Sequence, residues 1–128
     1  MNITFEQYHQ DLIKITKIIE HNRFDCIVAL KRSGWIIGVY LSNYFDIPVF
    51  TESEIKSIPM SRFKKILIVD DKICSGKSIN KTKNKLLTKG FLENNIKLCC
   101  LYIEGKRHNL TIDYFSTELE KTSKMFYE

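Results

Sequence analysis

The chain has 128 residues and a mass of 15.1 kDa, with 44% hydrophobic and 27% charged positions, a balance that fits one packed domain over residues 1–128 and excludes a second core. No apolar run approaches the roughly 18 residues of a membrane span, and the first eight residues carry an acid and no basic leader, so a soluble cytoplasmic protein is expected. The net charge of +5 is unevenly placed: Lys72 to Lys89 holds six lysines and no acid, a pattern of a solvated helix face or of a segment that attracts phosphate or nucleic acid. Four cysteines without CxxC spacing argue against zinc or a disulfide scaffold and for a reducing compartment.

In chain order, Thr4 and Gln7 fit a capping box, and Tyr8, Leu12, Ile15 and Ile19 follow at helical spacing. The apolar run Asp25 to Leu30 has strand length. Gly34 precedes a helical pattern through Ile37, Tyr40, Leu41 and Tyr44, and Pro48 to Thr51 forms a brief second strand. Lys65 to Val69 is a buried strand, Ser78 to Lys89 a helix closed by Gly90, and Leu98 to Ile103 a fourth strand. On that strand the adjacent Cys99 and Cys100 should point to opposite faces. Short strands alternating with helices of about ten residues predict an α/β fold with a parallel sheet and right-handed crossovers. Ligands of such sheets bind beyond the carboxyl ends of the strands. Two loops leave strands there, Lys31 to Gly34 and Asp70 to Ser78.

The second loop carries the chemistry. Ile66 to Ser78 reads Ile-Leu-Ile-Val-Asp-Asp-Lys-Ile-Cys-Ser-Gly-Lys-Ser, an apolar strand, two adjacent carboxylates and a short polar turn opening a helix. Backbone N–H groups at Ser75, Gly76, Lys77 and Ser78, with the hydroxyls of Ser75 and Ser78, would converge at the positive helix end and cradle a phosphate. Asp70 and Asp71 would be repelled by that phosphate, so they suit vicinal hydroxyls of a sugar or a metal. Gly76-Lys77-Ser78 looks like the end of a Walker A loop, but Asp71 stands where that motif needs its first glycine.

The whole string resembles the PRPP-binding signature of type I phosphoribosyltransferases. Ala29 to Gly38, Ala-Leu-Lys-Arg-Ser-Gly-Trp-Ile-Ile-Gly, resembles that family's pyrophosphate loop, and Ile112-Asp-Tyr114 with the closing Phe126-Tyr127-Glu128 is similar to the tail of its small bacterial purine members. The resemblance covers roughly residues 25 to 128 in the correct order. It implies a Rossmann-like core with a reduced hood and flap, and a Mg²⁺-dependent transfer of the phosphoribosyl group between PRPP and a nucleobase, releasing pyrophosphate, in nucleotide salvage. Asp70 and Asp71 would hold the ribose hydroxyls and, indirectly, the metal; Cys74, Ser75, Gly76, Lys77 and Ser78 the 5′-phosphate; Lys31, Arg32, Ser33 and Gly34 the pyrophosphate. Arg32 would be the principal catalytic cation. A homodimer is also implied.

The pattern departs on the base side. Where the purine enzymes of the family place an Asp in the loop, this chain has Cys74; the lysine expected at the purine O6 falls on Glu104, with Lys106 two residues on; and the stacking Trp of the tail falls near Ser123, leaving Phe126 and Tyr127 as candidate base platforms. Glu104 as a lone acceptor would repel a 6-oxopurine and favour a base with an exocyclic amine. Glu52 to Lys64 is short for the family's flap. An alternative therefore stands beside the enzyme: a nucleotide-sensing regulator of the same fold that binds RNA through Lys81, Lys83, Lys85 and Lys89. The bland readings are that Cys74 fills space, that Trp35, Phe126 and Tyr127 are core, and that the three histidines are solvated.

Overall fold

The computed structural model describes residues 2–105, 110–119 and 124–127. Helix α1 spans Phe5–Ile19, β1 Cys26–Ala29, α2 Ser33–Phe45, β2 Val49–Thr51, β3 Ile66–Ile73, α3 Lys77–Lys89, β4 Ile96–Glu104 and β5 Thr117–Leu119, with short 3₁₀ turns at Glu52–Ser57 and Glu93–Asn95. The five strands form one sheet in the order β2-β1-β3-β4-β5, and every pairing is parallel. The α/β expectation therefore holds. β5 and the 3₁₀ turns have no counterpart in the sequence reading, being too short to show a period.

Local sequence explains the elements. Thr4 caps α1, its hydroxyl accepting the Gln7 N–H at 3.1 Å, but the reciprocal half of the expected box is absent, because the Gln7 amide donates to Asp11 at 3.0 Å instead. Tyr8, Leu12, Ile15 and Ile19 are the buried stripe of α1. β1 is buried at all four positions, as a strand covered by helices on both faces must be. Two apolar layers sandwich the sheet, and Cys99 lies in one layer while Cys100 lies in the other, as alternation requires.

α2 packs unusually close to the sheet. A Cβ on Gly38 would stand 2.5 Å from the Ala29 Cβ, so glycine there sets the depth of the helix. Tyr44, expected on the buried stripe, is 52% exposed; the helix instead buries Gly34, Ile37, Gly38 and Leu41. β3 corrects the expected Asp70–Ser78 loop: the strand runs four residues beyond Val69, pairing Asp70 with Cys100 and Ile73 with Ile103. The turn proper is only Cys74–Gly76, because the alternation of buried and half-buried residues continues through the acids.

The short flap segment is a 3₁₀ turn with a complete capping box: the Thr51 N–H donates to Glu54 Oε1 at 2.9 Å. Lys89, from the end of α3, donates to the carbonyls of Ile55, Lys56 and Ile58, each at 2.8 Å. Lys85 reaches Glu52 at 2.5 Å, and that contact, opposed by burial, holds the Glu52 carboxyl below its ordinary pKa. The Glu52–Ser57 segment is thus fastened to α3 at both ends.

Candidate functional site

β1 and β3 are neighbours, so the loop after β1 and the acids of β3 meet at one edge of the sheet. The closest approach is at Gly34. A Cβ there would lie 2.9 Å from the Val69 carbonyl oxygen, 3.0 Å from the Asp70 Cα and 3.2 Å from Asp70 Oδ1. Any other residue would push the basic loop off the acid pair. Lys31 and Arg32, joined by a cis peptide bond, are both exposed and line an open basin of about 690 Å³ with Trp35, Thr51 and Glu54.

Beside this basin lies a smaller cleft of about 200 Å³ lined by Asp70, Lys72 and the turn from Cys74 through Ser78 to Ile79. Gly76 caps α3 with φ +79°, a left-handed conformation that favours glycine. No side chain caps this helix; Ser75 Oγ accepts only the Lys77 N–H, at 3.3 Å. The first-turn N–H groups therefore face the cleft as anion donors. The turn and helix start expected to cradle a phosphate thus line one cleft, with Lys77 and Ser78 among its lining residues.

The two acids differ. Asp70 Oδ1 accepts the Asp71 N–H at 2.8 Å, and burial, followed by the Asp71 charge, raises the Asp70 pKa well above the carboxylate range. Burial and the neighbouring charge thus favour the protonated form of Asp70. Asp71 is 7% exposed and accepts a hydrogen bond from the Tyr127 phenol. Tyr127 is thereby carried to the acid pair rather than to an open base face, while Phe126 packs edge-on against Phe5 and Tyr8 at 5.4 and 5.2 Å. Tyr8, assigned to the core by its helical spacing, is in that core at 3% exposure. Yet its hydroxyl is buried without a hydrogen-bond partner among the described residues, and burial together with the Asp71 charge pushes its pKa up.

Glu104 is not the lone acceptor expected: it pairs with Lys72 at 3.2 Å and accepts from the Cys74 thiol at 3.6 Å. The lysine and the carboxylate together present a donor beside an acceptor. Lys72 was missed because it lies 32 positions from Glu104 in sequence; only the pairing of Lys72 with Tyr102 and of Ile73 with Ile103 brings the two together. Cys74 is exposed, yet burial of its thiol and the Glu104 carboxylate push its pKa up, which argues against a nucleophile. Lys106, Ser123 and Glu128 lie outside the described residues.

The lysine segment is largely spent on the fold. Lys83 pairs with Glu93 at 3.2 Å, Lys85 with Glu52 and Lys89 with three carbonyls, so the four lysines do not form one common outward face: Lys81 and Lys85 are exposed, Lys83 and Lys89 half-buried. No helix among the described residues is long and apolar enough to cross a membrane.

The sequence matches no family profile and no curated protein. Solved structures do match. A purine phosphoribosyltransferase of Pyrococcus horikoshii superposes with a TM-score of 0.82 at 23% identity, covering 100% of this chain and 93% of its own. The xanthine-guanine-hypoxanthine phosphoribosyltransferase of Helicobacter pylori gives 0.83 at 20% identity, over 99% and 92%. A hypothetical protein of Neisseria gonorrhoeae with bound ppGpp gives 0.81 at 16%, over 100% and 89%. With an all-parallel five-stranded sheet and a basic loop after β1 that meets Asp70 of the β3 acid pair at Gly34, the chain has the type I phosphoribosyltransferase fold.

Proposed function

We propose that the protein transfers a 5-phosphoribosyl group between PRPP and a nucleobase in a Mg²⁺-dependent reaction, with pyrophosphate as the other product, in nucleotide salvage. The observation that supports this is the contact of Gly34 with Asp70, which brings the loop after β1 against the acid pair, while Asp70 lines one cleft with the start of α3. The first turn of α3, Ser75, Lys77 and Ser78 hold the 5′-phosphate. Asp70 and Asp71 accept from the ribose hydroxyls. Lys31, Arg32 and the N–H groups of Ser33 and Gly34 receive the pyrophosphate, and Arg32 meets the charge that develops as the C1′–O bond breaks.

The acid pair fits magnesium. Among the described residues no three His, Cys, Asp or Glu side chains gather, so a cation would have two carboxylates and complete its shell from water and pyrophosphate, as Mg²⁺ prefers. When bound, it neutralises charge on the leaving group. Asp70 must release its proton first.

A screen of nucleobases with PRPP and Mg²⁺, read as pyrophosphate formation, tests the assignment. Turnover of one base that is lost on changing Asp70 and Asp71 together to Asn is the expected result. Binding of PRPP with no pyrophosphate from any base would overturn it and favour a second reading, a nucleotide-binding regulator. That reading draws on the fold shared with the ppGpp-bound Neisseria protein and on the altered base side. RNA binding draws little support from a lysine segment whose ammonium groups are mostly engaged within the chain.

A further inference from the structure

Asp71 is approached by two phenols that phosphate and pyrophosphate binding leave unexplained. Tyr127 donates to its Oδ2 from the tail. Tyr8, on α1, stands edge-on to Tyr127 with ring centroids 6.4 Å apart and keeps a buried hydroxyl without a hydrogen-bond partner among the described residues, and the Asp71 charge acts on it. An unpaired buried hydroxyl is costly, whereas the tail phenol is 41% exposed at Tyr127 and can leave to water. The tail is docked by Met125, which is 2% exposed, and by the Ile3 N–H, which donates to the Lys124 carbonyl at 2.7 Å, so Tyr127 can turn out without undocking the segment before it.

We propose that Tyr127 is a latch that occupies at Asp71 the place of a sugar hydroxyl, that a vicinal diol enters by exchanging with this phenol, and that Tyr8 is the fixed donor that meets the incoming hydroxyl. The inference rests on the assignment of the acid pair to ribose. It makes the tail a gate on the sugar and Tyr8 a ligand-contacting residue, both independent of which base is used.

Ribose 5-phosphate without metal is the probe, with inorganic phosphate as the control for the α3 cradle. Tyr127→Phe should bind ribose 5-phosphate about tenfold more tightly than the wild type, since a competing charge-assisted hydrogen bond is removed, and Tyr8→Phe about fivefold more weakly. Phosphate affinity should not change in either. Equal or weaker sugar binding by Tyr127→Phe, with sugar still preferred over phosphate, overturns the latch and leaves the ribose site standing. Ribose 5-phosphate binding no better than phosphate in all variants overturns the ribose assignment and the exchange with it. A 3-fluorotyrosine placed at position 127 gives a ligand-free readout: its ¹⁹F resonance should move in Asp71→Ala and, in the wild-type background, on adding the sugar phosphate. An unmoved resonance in Asp71→Ala overturns the contact itself.

Discussion

Asp70 is the residue whose chemistry differs most from its sequence appearance. Two adjacent aspartates read as two charges, but burial and mutual repulsion leave Asp70 protonated above the usual range. Because the folded chain holds this proton more tightly than the unfolded chain, stability falls as pH rises from the ordinary carboxylate range through the raised folded value. Asp70→Asn removes that loss, so its Tm should exceed the wild-type Tm at pH 9 and approach it near pH 4. A larger gain at the acidic end would show that the proton is not held there. Arg32 makes a separate prediction. Arg32→Ala should lower kcat by a factor equivalent to about 2–4 kcal/mol of transition-state stabilisation and leave nucleoside monophosphate binding within twofold, because the monophosphate lacks the pyrophosphate. Steady-state kinetics and calorimetry on one preparation would separate the two effects; equal losses would place Arg32 on the 5′-phosphate.

At the scale of elements, the loops are positioned by close packing. Gly34→Ala places a methyl against the backbone of Val69 and Asp70, where nothing can yield cheaply, and should cost about 1–3 kcal/mol of stability while lowering turnover more than a surface substitution of equal ΔΔG. Denaturant unfolding and kinetics would check both. The far end of the 3₁₀ turn at Glu52–Ser57 is held to α3 by one ammonium group. Lys89→Met deprives three carbonyls of their donor and should cost about 1–3 kcal/mol, with proteolytic nicking appearing first between residues 52 and 60. Wild-type cleavage kinetics in this variant would mean the turn is held by its capping box alone. Neither fastening was legible in the sequence. Lys89 reads as one more lysine on a basic helix, and its target lies more than thirty residues upstream. By contrast α1, β1, α2, β2, α3 and β4 could be read from local pattern, because each buries one stripe or one whole strand.

For the whole molecule, binding should appear as linkage. PRPP with Mg²⁺ at a hundred times its Kd should add about 2.7 kcal/mol of stability, on the order of 10 °C in Tm for a chain of this length. Scanning fluorimetry with PRPP and Mg²⁺, separately and together, checks this, and no shift would argue against the site. The acid pair and the turn of the candidate site were legible because one contiguous string carries strand, acids and turn. The contacts of Lys72 with Glu104 and of Tyr127 with Asp71 were not, because they are joined only by the sheet register and by the docking of the tail on α1.

That docking also has a temporal consequence. Asp11 of α1 is buried and accepts from Tyr102 at 2.5 Å and from Ser116 at 2.8 Å, residues 91 and 105 positions further along the chain. Helix α1 therefore has only the local Gln7 amide on this carboxylate until β4 and the approach to β5 have been made. Until then its apolar stripe stays uncovered, a long-range closure that slows folding. A nascent chain halted before Ser116 would offer α1 to chaperones, and one released beyond it would bury the helix.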